Sequence, residues 1–142
     1  MPYDITRANV WAGEIEDHPG ALASRLETLQ RAGANLEFVI ARKGQPGKGV
    51  VFMAPLKGAA QVRAAKGAGL AKATSMHSLR LEGPDRRGLG ALITAALADA
   101  GINLRGLSAA ALGRRHVTYF AFDGADDARR AASILKKALK NA

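Results

Sequence analysis

The chain contains no cysteine, which excludes a disulfide framework, a thiol nucleophile, a cysteine-ligated zinc site and an iron–sulfur cluster. Aromatic residues make up only 5% of the 142 positions, so Ala, Leu, Val and Ile must fill most of any core. No apolar run approaches the ~18 residues that a membrane-spanning helix needs. The opening Met1-Pro2-Tyr3-Asp4-Ile5 lacks the basic segment and apolar stretch of a secretory signal. These absences lead to the expectation of a soluble cytoplasmic protein with no membrane partner. Catalytic patterns are missing as well. His18, His77 and His116 lack the spacing of a metal site. Ser24, Ser75, Ser78, Ser108 and Ser133 sit in no nucleophile elbow. In Gly44-Gln45-Pro46-Gly47-Lys48-Gly49 a Gly follows the Lys, and Arg42 stands where a phosphate loop needs Gly, so the segment reads as a hairpin turn. The chain is therefore read as non-enzymatic, with no cofactor and no metal.

What is present is globular in character. Apolar residues make up 48% and charged residues 23%, so the chain is one ordinary domain or two small ones. Lys plus Arg is 21 against 12 Asp plus Glu, a net charge of +9. That surplus raises RNA or another anion as a partner. The charges are spread evenly, however, and an RNA-binding sheet needs exposed aromatics on its central strands. His116-Val117-Thr118-Tyr119-Phe120-Ala121-Phe122 is the one candidate, and Phe120 and Phe122 share a face, as core residues do. Arg86-Arg87, Arg114-Arg115 and Arg129-Arg130 read as solvated surface. Composition alone thus disfavours nucleic acid.

A repeat runs through the chain at an offset of 68. Asp17 falls on Asp85, Gly20 on Gly88, Leu29 on Leu97, Gly33 on Gly101, Asn35 on Asn103, and Phe52 on Phe120. We read two copies of one unit, 1–75 and 76–142. In the first, Ala8 to Glu16 is a strand, and Asp17-His18-Pro19-Gly20 breaks it. A helix comes next, with Leu22, Leu26, Leu29 and Gly33 at helical spacing. Strands at Leu36–Ala41 and Val50–Met53, an Ala-rich helix from Ala59 to Lys66 and a short strand at Leu70–Thr74 complete it. The second repeats the order with strands at Met76–Glu82, Ile102–Ala110 and His116–Phe122. Its helices run from Leu89 to Ala100 and from Asp126 to Lys140, where the chain stops without a fourth strand. The expected fold is therefore α+β: two ferredoxin-like βαββαβ units in tandem, antiparallel sheets with helices on one face, the second unit lacking its last strand. Units of roughly 70 residues bury too little to be comfortable alone. Val50 and Phe52 occupy one face of their strand while Val51 and Met53 occupy the other. Both points lead to the expectation of a homo-oligomer, a dimer.

The loop before the first helix, and the segment after that helix, are more specific. Asp17-His18-Pro19-Gly20-Ala21-Leu22, then Ala32-Gly33-Ala34-Asn35-Leu36, resembles the ACT domain, a small regulatory module that binds amino acids. The second copy keeps Asp85, Gly88 and Gly101-Ile102-Asn103. It carries Arg87 where the pattern has Pro and Gly90 where it has Leu, so it is the weaker match. The resemblance covers nearly the whole chain as a tandem pair. It implies an effector held between modules by the loop and by the Asn that opens the second strand. Carried onto this chain, the ligand-binding residues are Asp17, His18, Pro19, Gly20 and Asn35, with Asp85, Arg86, Arg87, Gly88 and Asn103 in the second copy. The chemistry is coherent. Helix N-termini and Gly-permitted close approach favour a carboxylate, Asp accepts from an ammonium group, and Asn both donates and accepts. The expected function is a regulatory protein sensing an amino acid at an inter-module interface and signalling to a separate protein target. A plainer reading stays open, in which the Asp residues cap helices, Pro19-Gly20 is turn chemistry and the Asn residues are loop caps. The chain would then be an assembly module with decayed sites.

Overall fold

The computed structural model describes residues 2–74 and 76–140. Among the described residues eight strands and four helices form two compact units, one spanning Asn9–Ala73 and the other built from Met1–Ala8 with Thr74–Ala142. We call them the inserted and the outer unit. Each is a four-stranded antiparallel sheet with two helices, and together they are two ferredoxin-like units. No helix among the described residues is long and apolar enough to cross a membrane.

In chain order the elements begin with β1 (Asp4–Ala8), which belongs to the outer unit. The inserted unit holds β2 (Trp11–Glu16), α1 (Ala21–Arg31), β3 (Phe38–Lys43), β4 (Lys48–Ala54), α2 (Gly58–Gly67) and β5 (Ala71–Lys72), with sheet order β3-β4-β2-β5. Period-two alternation turns Trp11 and Ile15 of β2, and Val51 and Met53 of β4, toward Leu29 of α1 and Ala65 of α2. Gly13 lies between them because a Cβ there would stand 2.8 Å from the Gly69 carbonyl oxygen and from Leu70 Cδ2. Val50 and Phe52 lie on the opposite face with Ile40 and Ala12, half-buried, and the Arg42 guanidinium sits 5.8 Å from the Phe52 ring centre.

The outer unit holds β6 (His77–Pro84), α3 (Leu89–Asp99), β7 (Gly106–Leu112), β8 (Arg115–Phe122) and α4 (Ala125–Leu139). Its sheet order is β1-β6-β8-β7. Leu79, Leu81, Phe120 and Phe122 from the sheet pack with Leu89, Ile93 and Leu97 of α3 and with Ala128, Ala131, Leu135 and Leu139 of α4. Full burial of each large aliphatic or aromatic side chain contributes ~1.5–3 kcal/mol.

Two expectations need correction. The stretch expected as one strand from Ala8 to Glu16 is two strands interrupted at Asn9–Val10. The first of them pairs antiparallel with β6 from Asp4↔Glu82 to Ala8↔Ser78. The second repeat therefore does not lack its fourth strand, because residues 4–8 supply it from the other end of the chain. The division expected at 1–75 and 76–142 accordingly differs from the observed units in its first eight positions and at Thr74, and Ser75 lies outside the described residues. Strand pairing also shows where the offset of 68 slips. Trp11↔Met53 corresponds to Leu79↔Phe120, so β8 is shifted by 67 relative to β4. The cause is a tighter hairpin, in which Leu112 pairs Arg115 directly across Gly113-Arg114, whereas Lys43 pairs Gly49. Phe52 thus corresponds to Tyr119 and not to the core residue Phe120. Tyr119 also has an arginine at its ring, Arg80, at 5.9 Å.

Tyr3, just before β1, is buried, and its hydroxyl donates to the Pro84 carbonyl at 2.8 Å. A Cβ at Gly83 would stand 2.7 Å from Tyr3 Cε1 and collide with the ring. Gly83→Ala is expected to destabilise the chain by roughly 1–3 kcal/mol, as overpacking does, and to speed amide exchange across Ile5–Arg7. Denaturation midpoints and exchange rates check this, and an unchanged midpoint would mean that Tyr3 does not anchor β1.

Candidate functional site

The two loops that enter α1 and α3 share one backbone design. Gly20 and Gly88 precede the helices at φ +92° and +80°, in the left-handed region where a Cβ is strained. Neither helix has a side-chain cap or an acidic residue in its first turn. Asp17 and Asp85 are therefore not helix caps here. A Cβ added at either Gly would meet no atom within 4 Å beyond its chain neighbours. Each loop is tied to the neighbouring hairpin by one backbone bond, Asp17 N–H to the Gly47 carbonyl at 3.1 Å and Asp85 N–H to the Arg114 carbonyl at 2.8 Å.

The side chains diverge from that common frame. Lys43 donates to Asp17 Oδ2 at 2.7 Å in an exposed pair, an interaction worth only ~0–1 kcal/mol and weakened by salt. His18 is exposed, with Nδ1 3.0 Å from the Pro19 carbonyl, and Pro19 is exposed beside it. One residue before the loop, Glu16 accepts from Lys48 at 2.6 Å, and that hydrogen bond holds its carboxyl below the usual carboxylate range. In the outer unit Asp85 instead faces a buried imidazole. His116 Nδ1 is 3.5 Å from Asp85 Oδ1, and His116 Nε2 lies 2.5 Å from Thr118 Oγ1. His116 is 7% exposed and Thr118 is 0% exposed. The order Thr, His, Asp is that of a hydrolytic triad, but a hydroxyl with no exposure meets no substrate, so the cluster braces the loop from beneath. Arg86 and Arg87 are exposed.

Asn35 and Asn103 stand at the far end of their units. Each comes after a helix stopped by a left-handed glycine, Gly33 at φ +87° and Gly101 at φ +73°. The returning bonds run from Ala34 N–H to the Leu29 carbonyl and from Ile102 N–H to the Leu97 carbonyl, both 3.0 Å. Since α1 and α3 each have 11 residues, about 16 Å of helix separates each loop from its own Asn. The structure brings Asp17, His18, Pro19 and Gly20 together, and Asp85, Arg86, Arg87 and Gly88 together. It does not bring Asn35 to the first group or Asn103 to the second within a unit. Asn103 Oδ1 accepts from the Leu104 N–H at 3.0 Å and is in local use. Asn35, by contrast, is exposed, while its neighbours Ala34 and Leu36 line an open groove of about 430 Å³ together with Leu26, Leu29 and Val39 and the polar Glu27 and Gln30.

Sequence reasoning missed Lys43, 26 positions from Asp17, for which no local signal existed. It also missed His116 and Thr118. Their signal was there, since His116, Thr118, Phe120 and Phe122 alternate onto the core face of β8. Among the described residues no three His, Asp or Glu side chains gather as a metal site.

This arrangement of strands, helices and loops is the tandem ACT fold. No protein-family model matches the chain, and no curated protein matches it in sequence. Solved structures do match it. A protein of Bacteroides thetaiotaomicron superposes with a TM-score of 0.79 at 15% identity, over 94% of this chain and 89% of that one. The ligand-free regulatory subunit of aspartate kinase from Thermus thermophilus does so at 0.67 and 16% identity, over 98% and 97%. Escherichia coli aspartokinase III, in complex with aspartate and ADP, gives 0.63 at 14% identity, with 97% of this chain covering 33% of that enzyme. At these identities the agreement establishes the shared fold.

Replacing Thr118 by Val keeps the volume but leaves His116 Nε2 buried without its partner. Thr118→Val is expected to cost about 1–3 kcal/mol, read by denaturant titration. A change near zero would show that the bond does not brace the loop.

Proposed function

We propose that the chain is a non-catalytic regulatory protein that binds an amino acid at a site completed by a second copy of itself. The observation that carries this reading is the separation of complementary halves. One end of the inserted unit offers a helix N-terminus without a side-chain cap, where a Cβ on Gly20 would meet nothing beyond its chain neighbours, beside an exposed Asp17, and the other end offers an exposed Asn35. A zwitterion needs both kinds of partner, an N–H-rich site for its carboxylate and acceptors for its ammonium. Two copies lying antiparallel bring the loop of one to the Asn of the other. A ligand ammonium competes with Lys43 for Asp17, and because that surface pair is weak the exchange costs little. Ligand bridging two copies stabilises one packing over another, and a separate protein target in the cytoplasm reads the difference.

A second reading is favoured in the outer unit. There Asp85 is engaged with His116 and Asn103 with the Leu104 N–H, so these residues serve assembly and stability, while the inserted unit carries the ligand.

The test is a thermal-shift screen against the proteinogenic amino acids and common nucleotides, confirmed by calorimetry. A ligand at 100 times its dissociation constant adds about 2.7 kcal/mol of stability. One or a few related amino acids are expected to raise the midpoint. Asn35→Ala is expected to abolish that shift with the fold intact, and Asp17→Ala to weaken binding more than Asp85→Ala. A response to nucleotides alone, or to nothing, would overturn the proposal, and the reverse ranking of the two Asp variants would move the site to the outer unit.

A further inference from the structure

The pairs Arg86-Arg87 and Arg114-Arg115 are far apart in the sequence and read there as separate stretches of solvated surface. The structure makes them one surface. Asp85 N–H donates to the Arg114 carbonyl at 2.8 Å, and Pro84 pairs directly with Arg115 in the β6–β8 ladder. The loop that enters α3 and the turn between β7 and β8 therefore open together at one end of the outer unit, and all four arginines are exposed there. Few acids answer them. Arg115 donates to Glu82 at 3.2 Å, but Arg80 shares that carboxylate at 2.8 Å. Asp85 approaches the buried His116 instead. The side chains of Arg86, Arg87 and Arg114 make no hydrogen bond or ion pair with any described residue. The same end of the inserted unit is tied in the same way, Asp17 N–H to the Gly47 carbonyl at 3.1 Å, yet its cations are paired, Lys43 with Asp17 and Lys48 with Glu16. Neighbouring guanidinium groups repel one another, so a surface of this kind gains from an anion that carries several charges.

We infer that this arginine end of the outer unit is where the chain docks its protein target, and that the target presents an acidic segment, a run of Asp or Glu side chains. The guanidinium fork takes a carboxylate through two parallel hydrogen bonds. One exposed pair contributes only ~0–1 kcal/mol, so a lone carboxylate is held weakly, whereas a chain bearing several engages the arginines together. Arg87 follows Pro84, the ladder partner of Arg115, by ~10 Å of extended chain at most. A short run of acidic residues, at ~3.3 Å each, reaches across that distance. Other polyanions fit less well. Single-stranded RNA is held by bases stacked on aromatic side chains, and neither Pro84–Gly90 nor Leu112–Arg115 contains one. A lipid surface takes a broad apolar face beside the charge, and Leu112 is the one large apolar side chain that the described residues expose at this end. The inference rests on the regulatory reading above and supplies the chemistry of its target. It is tested with no amino acid present, so the two fail separately.

The experiment is fluorescence anisotropy of the full chain with labelled hexaglutamate, beside labelled hexauridylate RNA and phosphatidylserine vesicles. The wild type is expected to bind the peptide in preference to both. Arg86→Gln combined with Arg114→Gln is expected to weaken peptide binding about fivefold to tenfold, as the loss of two exposed pairs does. Lys136→Gln combined with Lys137→Gln removes the same charge from the exposed face of α4 and is expected to weaken it roughly twofold or less. Circular dichroism checks the fold of each variant. Should the arginine variant misfold, Arg87→Gln alone takes its place, with a loss of about threefold expected and unchanged affinity counting against the surface. Absence of peptide binding overturns the inference, as does tighter binding of the RNA or the vesicles. Equal weakening by the two charge-matched variants also overturns it, because diffuse attraction to a chain of net charge +9 then accounts for the binding. Peptide binding by a chain that responds to no amino acid leaves the arginine surface standing and removes the effector; an amino-acid response without peptide binding does the opposite.

Discussion

The ladder between Asp4–Ala8 and the middle of β6 is the constraint on which the rest of the chain depends. Without it β6, the strand with the most core-facing residues in its unit after β8, would present a long open edge, and Tyr3 and Ile5 would leave the hydrophobic cluster under α4. With it, the chain leaves the outer unit at Ala8, builds the whole of the inserted unit, and returns at Thr74. Gly83 is the local device that permits this, because only a residue without a Cβ accepts the Tyr3 ring over the strand.

Within the two units one backbone solution is used twice and charged differently. A left-handed glycine opens the helix, another closes it, and one backbone bond ties the loop to the neighbouring turn. On that frame Asp17 holds an exposed lysine, whereas Asp85 rests on a buried histidine that is itself held by a buried threonine. Both carboxylates are about equally exposed, but one meets a lysine at 2.7 Å and the other approaches a buried imidazole at 3.5 Å. The two loops share their backbone geometry and differ in their electrostatics.

The fold class was legible because its signals are local. Leucines at helical spacing, Gly after each helix and alternating strands each report on neighbours a few residues apart. What escaped were long-range facts. Nothing in Asp4-Ile5-Thr6-Arg7-Ala8 announces a partner near position 80, since its composition suits any half-buried edge strand. The one-residue difference between hairpins was hidden by a coincidence of Phe52 and Phe120, which lie on opposite faces of their sheets. In the candidate site, the glycines and their conformations were readable, because a positive φ leaves a residue-type signature. The partners of Asp17 and Asp85 were not, because a carboxylate accepts from any donor that tertiary structure delivers.

The route of the chain also sets an order of assembly. Asp4–Ala8 precedes its partner residues Ser78–Glu82 by a long stretch of chain, and closing that pairing in an unstructured chain spans roughly seventy residues of loop. The inserted unit removes most of this distance once it folds, because Ala73 N–H then donates to the Val10 carbonyl at 2.9 Å. Replacing a disordered loop of that length by two short connectors lowers the closure entropy by about 2 kcal/mol. The inserted unit is thus a folding clasp for the outer one, because once it has formed the pairing of Asp4–Ala8 with β6 closes across a short gap.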